Sequence, residues 1–232
     1  MDPRERLMAG RAAAQEGRYA DALREYVWFH DHALTHQPSL YGVRLSFALA
    51  DWVDLGQSFP EARRVLEEIR DRKAALLESG HGDRHLFHDV ESINQSLGAE
   101  IETYRLFSKM LRTAPLNAAA WADLAQEAIV KAGDFKVAAQ YSDAPEEALL
   151  RYNQSFNRDV AELKKDDRER KARVLDAYVH IYVDRIATTI AILEGVGNAD
   201  DARACREWAV ALVDAKAVRK MVSDVLAKRY DA

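Results

Sequence analysis

Apolar residues recur along this chain at three-to-four spacing, in segments bounded by Gly, Pro or small polar residues, and that rhythm predicts helices almost throughout. A first helix is expected over about residues 3–16, with Asp2 as its cap, Pro3 in its first turn and Gly17 closing it. A second covers about 19–36, with Ala22, Tyr26, Phe29 and Ala33 on one face. A third runs from about Leu40 to Leu55, with Leu45, Ala48, Leu49 and Trp52 inward and Gly56 at its end. Ser58 with Glu61 reads as a capping box for a fourth, which carries Ala62, Val65, Leu66, Ile69 and Leu76. Residues 79–83 read as a loop. Further helices follow over about 84–97 and 99–113, then one capped by Asn117, then one over about 135–141.

The pattern changes after Tyr141. Residues 142–147 break the chain, and Leu149, Tyr152, Phe156, Val160 and Leu163 form a new stripe. Eight consecutive charges, Lys164 to Lys171, cannot enter a core and predict a hairpin tip or a solvated stretch of long helix. Val174, Ala177, Tyr178, Ile181, Ile186, Ile190 and Leu193 make the next stripe, ended by Gly195 to Asn198. A last helix, capped by Asn198, meets no Gly or Pro up to Tyr230, so one unbroken element is expected, with Trp208, Leu212, Val218, Val222 and Val225 along its seam.

The first part repeats itself. A glycine, an aromatic or apolar residue and then a small residue recur as Gly17-Tyr19-Ala22, Gly56-Phe59-Ala62, Gly98-Ile101-Thr103 and Gly133-Phe135-Ala138. One helix pair cannot bury its own apolar face, so such pairs must stack. Trp121, Leu124, Ala125, Ala128, Gly133, Phe135 and Ala138 are similar to the signature of the tetratricopeptide repeat (TPR) family, and so are Gly10, Gly17, Tyr19, Ala22 and Tyr26. The resemblance covers about residues 3–141. It implies an all-α, TPR-like array of about four stacked helical hairpins over 1–141. A helical hairpin and a C-terminal capping helix over 142–232 would continue it. It further implies a scaffold that binds a protein or peptide along a concave groove lined by the first helix of each pair. Carried over by position, that groove comprises Arg11, Gln15, Ser46, His85, His88, Ser92 and Gln126.

Charge narrows the field of partners. With 31% charged residues of mixed sign and a net charge of −5, the chain lacks the concentrated positive face of a nucleic-acid binder or of a protein held on an anionic membrane. No apolar run approaches the roughly 20 residues of a membrane span, and the start at Met1 lacks the apolar stretch of a secretory signal. The single cysteine, Cys205, excludes an internal disulfide and suits a reducing compartment. A cytoplasmic protein is expected, with no cofactor and no catalytic residue.

Other constellations offer competing chemistry. His32 and His36, and His85 and His88, each lie one turn apart, as a pair of imidazole metal ligands would. His30-Asp31 and His88-Asp89 spell the dipeptide of the all-α HD phosphohydrolases, so a metal-dependent hydrolase is the alternative from a different class. A helical module that senses a small molecule is a third. The bland reading places these histidines on the surface or in the groove and assigns no metal. Cys205, near Arg203 and Arg206, reads as a core residue, since no histidine lies close enough in sequence to act as a base. Gly195-Val196-Gly197 follows a helix and reads as its end rather than as a phosphate loop. Arg63-Arg64 and the Lys164 to Lys171 run read as solvated faces, with an acidic partner as the sharper alternative. Val213, Val218, Met221, Val222, Val225 and Leu226 fit either a cap on the stack or a homodimer contact.

Overall fold

The computed structural model describes residues 2–163 and 168–230. Residues 164–167, half of the expected charged hairpin tip, lie outside them. The described chain is all-α, with helices packed as neighbouring hairpins and no strand among the described residues. It divides into two compact units, Met1–Ala128 and Ile129–Ala232. No described helix is long and apolar enough to cross a membrane.

The first unit begins with α1 (Pro3–Gln15) and α2 (Tyr19–His36). The Asp2 carboxylate accepts from the Arg4 amide at 2.9 Å, as the sequence leads one to expect. Gly17 makes the turn at φ +77°, a region that L side chains avoid. Gly10 sets the approach of the pair: a Cβ there would lie 2.6 Å from the Tyr26 ring. Next come a 3-10 turn (Pro38–Leu40), α3 (Tyr41–Leu45), α4 (Phe47–Ser58) and α5 (Pro60–Glu78). Then follow α6 (Arg84–Leu97), α7 (Glu100–Thr113) and α8 (Pro115–Lys131), within which the division into units falls.

Small residues lie where the hairpins meet. Ala22, Ala62, Thr103 and Ala138, the closing positions of the four repeats, are all buried. Tyr19 and Phe59, equivalent in the first two repeats, stack with centroids 6.2 Å apart. Thr103 stands where the other repeats have Ala, and its hydroxyl accepts from the buried Asn94 amide at 3.0 Å. The Trp52 indole donates to the Ala62 carbonyl at 2.8 Å, so its burial strands no polar atom.

The second unit contains α9 (Phe135–Gln140), α10 (Pro145–Ala161), α11 (Arg168–Gly195), α12 (Ala199–Ala211) and α13 (Lys216–Tyr230). Phe156 and Tyr182 stack at 4.5 Å, and the Tyr182 hydroxyl donates to the Ala209 carbonyl at 2.8 Å. Cys205 is buried, and burial pushes its thiol up to about 11, which fits a core residue rather than a reactive one. Val218, Val222 and Leu226 of α13 are buried within their own unit.

Several local expectations fail for identifiable reasons. The third helix is not continuous: Ser46, at φ −127° and ψ −90°, divides it into α3 and α4 while its hydroxyl donates to the Gly42 carbonyl at 2.7 Å. Gly56 ends nothing, because α4 runs on to Ser58. Phe59, without a side-chain cap bond, occupies the cap position in place of the Ser58 box. The seventh helix starts at Pro115, ahead of Asn117. Asn198 makes no side-chain cap bond. The last helix breaks after Ala211. There the Asn157 amide donates to the Leu212 carbonyl at 3.1 Å, its oxygen accepts from the Asp214 amide at 3.2 Å, and Arg219 donates to the Val213 carbonyl. Trp208, expected on the seam, is 47% exposed.

Two glycines test this packing. Gly10→Ala should cost about 1–3 kcal/mol by overpacking against Tyr26. Gly42→Ala, with nothing within 4 Å of the added methyl group, should be neutral or stabilise by up to about 1 kcal/mol. Urea unfolding of both variants measures the contrast.

Candidate functional site

The first-helix face of the first unit starts from an ion pair between neighbouring hairpins. Arg11 on α1 donates through Nε to the Asp51 carboxylate on α4 at 2.7 Å. One turn from each partner stands a large apolar side chain left in solvent. Met8 is 60% exposed and 3.8 Å from the Arg11 guanidinium, and Phe47 is 67% exposed. Gln15 is exposed farther along α1, and Ser46 is exposed at the break between α3 and α4.

The break at Ser46 exists beside a buried charge cluster. Arg44 lies on the apolar stripe between Leu40 and Ala48, and Asp89 lies among Phe87, Val90 and Ile93. The two meet in a fork: Arg44 Nη1 and Nη2 donate to the two Asp89 oxygens at 2.6 and 2.5 Å. Arg44 Nε donates to the His30 carbonyl on α2 at 2.7 Å. From α5, the Lys73 ammonium donates to Asp89 and, at 2.9 Å, to His30 Nε2. Four helices, α2, α3, α5 and α6, are thus tied at one point. Burial alone would raise the Asp89 carboxyl; the hydrogen bonds and charge of Arg44, then those of Lys73, outweigh it and bring it down to about 2. Burial, reinforced by the Arg44 and Lys73 charges, lowers the His30 imidazole to about 3, so it stays neutral.

Above this cluster lies an open cleft of about 550 Å³ lined by Leu34, Pro38, Tyr41, Arg44, Asp83, His85, Leu86 and Asp89. The Tyr41 hydroxyl sits 2.8 Å from His88 Nδ1 and 3.2 Å from His85 Nδ1. Partial burial lowers the His88 imidazole, which suits it to accept the Tyr41 proton while His85 donates to the Tyr41 oxygen. His85 and His88, expected in a groove, do come together, with Tyr41 as their common partner.

Along α6 the row continues through His88 and Glu91, whose Nε2 and Oε2 atoms are 3.9 Å apart. Glu91 is mostly buried, and burial, with the Glu127 and Glu100 charges adding to it, raises its carboxyl to about 7 against a hydrogen bond from Ser92. Ser92 is itself buried, at 4% exposure, and is no open groove contact. Gln126 on α8 is half-buried. Arg84 reaches α8 through a fork to Asp123, and Gln95 donates to Glu127 at 3.4 Å. Arg11, Gln15, Ser46 and His85 therefore reach solvent, His88 and Gln126 do so in part, and Ser92 is buried beside Glu91.

The other charged and histidine candidates resolve individually. His32 and His36 lie against the Trp28 ring, with centroids at 5.4 and 5.6 Å. Asp89, one half of an HD dipeptide, is committed to Arg44 and Lys73. Among the described residues no three His, Cys, Asp or Glu side chains are arranged to hold a metal ion. Arg63 pairs with Glu67, and Arg64 with Glu61 and Glu68, along the exposed side of their own helix. No protein-family model, no curated protein and no solved structure matches this chain.

Two stability measurements follow. Asp89→Ala leaves Arg44 and Lys73 facing each other without their anion and should cost about 3–5 kcal/mol, whereas Asp89→Leu combined with Arg44→Met and Lys73→Met should recover most of it. The pH dependence has two opposed arms. An unfolded histidine binds its proton near pH 6.5 and the folded His30 only near 3, so stability falls as pH drops through that window. The folded Glu91 holds its proton up to about pH 7, above the roughly 4.3 of an unfolded chain, so stability falls as pH rises between those values. Glu91→Gln should therefore raise the melting temperature at pH 8 and leave it nearly unchanged at pH 4.

Proposed function

We propose that this chain is a non-enzymatic binding protein of tetratricopeptide type, which takes a peptide or a segment of a partner protein across the first-helix face of its first unit. One observation carries the reading: Met8 and Phe47 stand in solvent on adjacent hairpins, each one helical turn from a member of the Arg11–Asp51 pair. Large exposed apolar side chains beside a satisfied ion pair have the make-up of a protein-binding hot spot. The helices beneath are held by the buried cores of α1, α2, α4 and α5, so the face is pre-organised and a ligand loses little entropy to order it. Asp54, exposed on α4 one turn beyond Asp51, favours a segment carrying Lys or Arg next to its apolar residues.

Selection of a random peptide display library on the full chain tests this. Enriched peptides should combine an apolar residue with a basic one and should bind Phe47→Asp at least about tenfold more weakly. The variant should keep its melting temperature, since the side chain it replaces is 67% exposed. Absence of enrichment, or peptides indifferent to Phe47→Asp, would remove the reading.

A further inference from the structure

Tyr41, His85 and His88 form a polar set that the peptide face does not use. Their three polar atoms converge: the Tyr41 hydroxyl sits 2.8 Å from His88 Nδ1 and 3.2 Å from His85 Nδ1. The histidines stand one turn apart on α6, and Tyr41 meets both from the first turn of α3. Two imidazole nitrogens and a phenol oxygen are ligands for a borderline divalent ion such as Zn²⁺ or Cu²⁺. Donors about 2.0–2.1 Å from such an ion stand roughly 2.8–3.4 Å from one another, from a right angle to the tetrahedral one. Both contacts of Tyr41 lie in that range. His85 is exposed, and Tyr41 and His88 are half-buried, so small side-chain rotations suffice to admit an ion among them. No three of His, Cys, Asp or Glu meet in this way among the described residues; here the third donor is a phenol.

The surroundings do not oppose a cation. Asp83 and Asp89 line the adjoining cleft against Arg44 alone. Arg84, next to His85, is forked to Asp123, and Lys73, behind the lining, is bonded to Asp89. Arg44, Lys73 and Arg84 are thus matched by Asp83, Asp89 and Asp123. Asp83 caps α6 by accepting from the Leu86 amide at 2.8 Å, which sets a carboxylate against the positive end of that helix, close to His85. His88 Nε2 faces the Glu91 carboxylate at 3.9 Å, the side on which metal-bound imidazoles keep an acceptor. Tyr41 and His85 also line the cleft of about 550 Å³, so the remaining coordination positions open to water or a small ligand. The geometry points to a transition-metal site formed by His85 Nδ1, His88 Nδ1 and Tyr41 Oη, which takes a borderline divalent cation, Cu²⁺ or Zn²⁺. On binding, His85 carries its ring proton on Nε2, the Tyr41 O–H bond breaks as the oxygen–metal bond forms, and that proton leaves to solvent. None of Met8, Arg11, Phe47 and Asp51 contributes a ligand, so the site is distinct from the peptide face.

Calorimetric titration of the full, untagged chain at pH 7 in a non-coordinating buffer, with copper(II), zinc and magnesium chlorides, tests the assignment. Visible absorption spectra of the copper form accompany it. One tight, saturable equivalent of Cu²⁺ is expected, with Zn²⁺ weaker by about tenfold or more and Mg²⁺ not bound. The copper form should show a phenolate-to-copper charge-transfer band that Tyr41→Phe removes. His85→Ala and His88→Ala should each weaken Cu²⁺ binding by about tenfold or more while the circular dichroism spectrum stays unchanged. His32→Ala combined with His36→Ala, the other pair one turn apart, should leave the tight equivalent in place, and so should Phe47→Asp. Its loss with the α2 pair, or its retention in His85→Ala or His88→Ala, would overturn the proposal. So would Mg²⁺ binding as tight as that of Zn²⁺, or no Cu²⁺ binding. Absence of the band from the native chain would do the same, and that reading needs no variant to fold.

Discussion

The bidentate contact between Arg44 and Asp89 is the constraint on which the first unit's site depends. Helix α3 has only five residues, far below the length at which a helix persists by itself in water. Its place is fixed by Arg44, which reaches α6 through Asp89 and α2 through the His30 carbonyl. Lys73 adds α5 to the same carboxylate. A buried ion pair is a poor source of net stability, because the desolvation it costs offsets most of the attraction. What it supplies is position: the Arg44–Asp89 fork closes in one arrangement, and any displacement of α3 leaves charge buried without a partner. Tyr41, on the first turn of that helix, is thereby set between His85 and His88, and the cleft wall follows.

Around this point the hairpins pack by shape. Gly10 admits the Tyr26 ring, Ala22 and Ala62 let neighbouring helices close, and Tyr19 meets Phe59 across the first two repeats. Such packing leaves little room to give, since cores at this density transmit strain instead of absorbing it. The first-helix face of this unit rests on that buried core. Met8 and Phe47 stand in solvent above it.

Much of the fold was legible in the sequence, and the failures are local. The repeat spacing placed Ala22, Ala62, Thr103 and Ala138 at the helix contacts, where the structure has them. The breaks at Ser46 and after Ala211 carried no Gly or Pro signal. They arise from distant partners, Asp89 holding Arg44 in one case and Asn157 holding residues 212–214 in the other, which periodicity does not see. The candidate site was read less well. His85 and His88 were legible as a pair, but Tyr41, which joins them, and Lys73, which completes the cluster, were not singled out. A signal was present: Arg44 and Asp89 are charges on otherwise apolar stripes, and two such misfits of opposite sign imply one another. Ser92 was placed in the groove by its family position and instead is covered.

Residue-resolved hydrogen exchange on the native chain and on Asp89→Asn probes the lock most directly. The amides of Arg44 and Leu45 should exchange slowly in the native chain and much faster in the variant, while Ala13 and Ala22 keep their protection. Unchanged exchange at Arg44 and Leu45 would mean that α3 is held by something other than Asp89, and the explanation given for the cleft would fall with it.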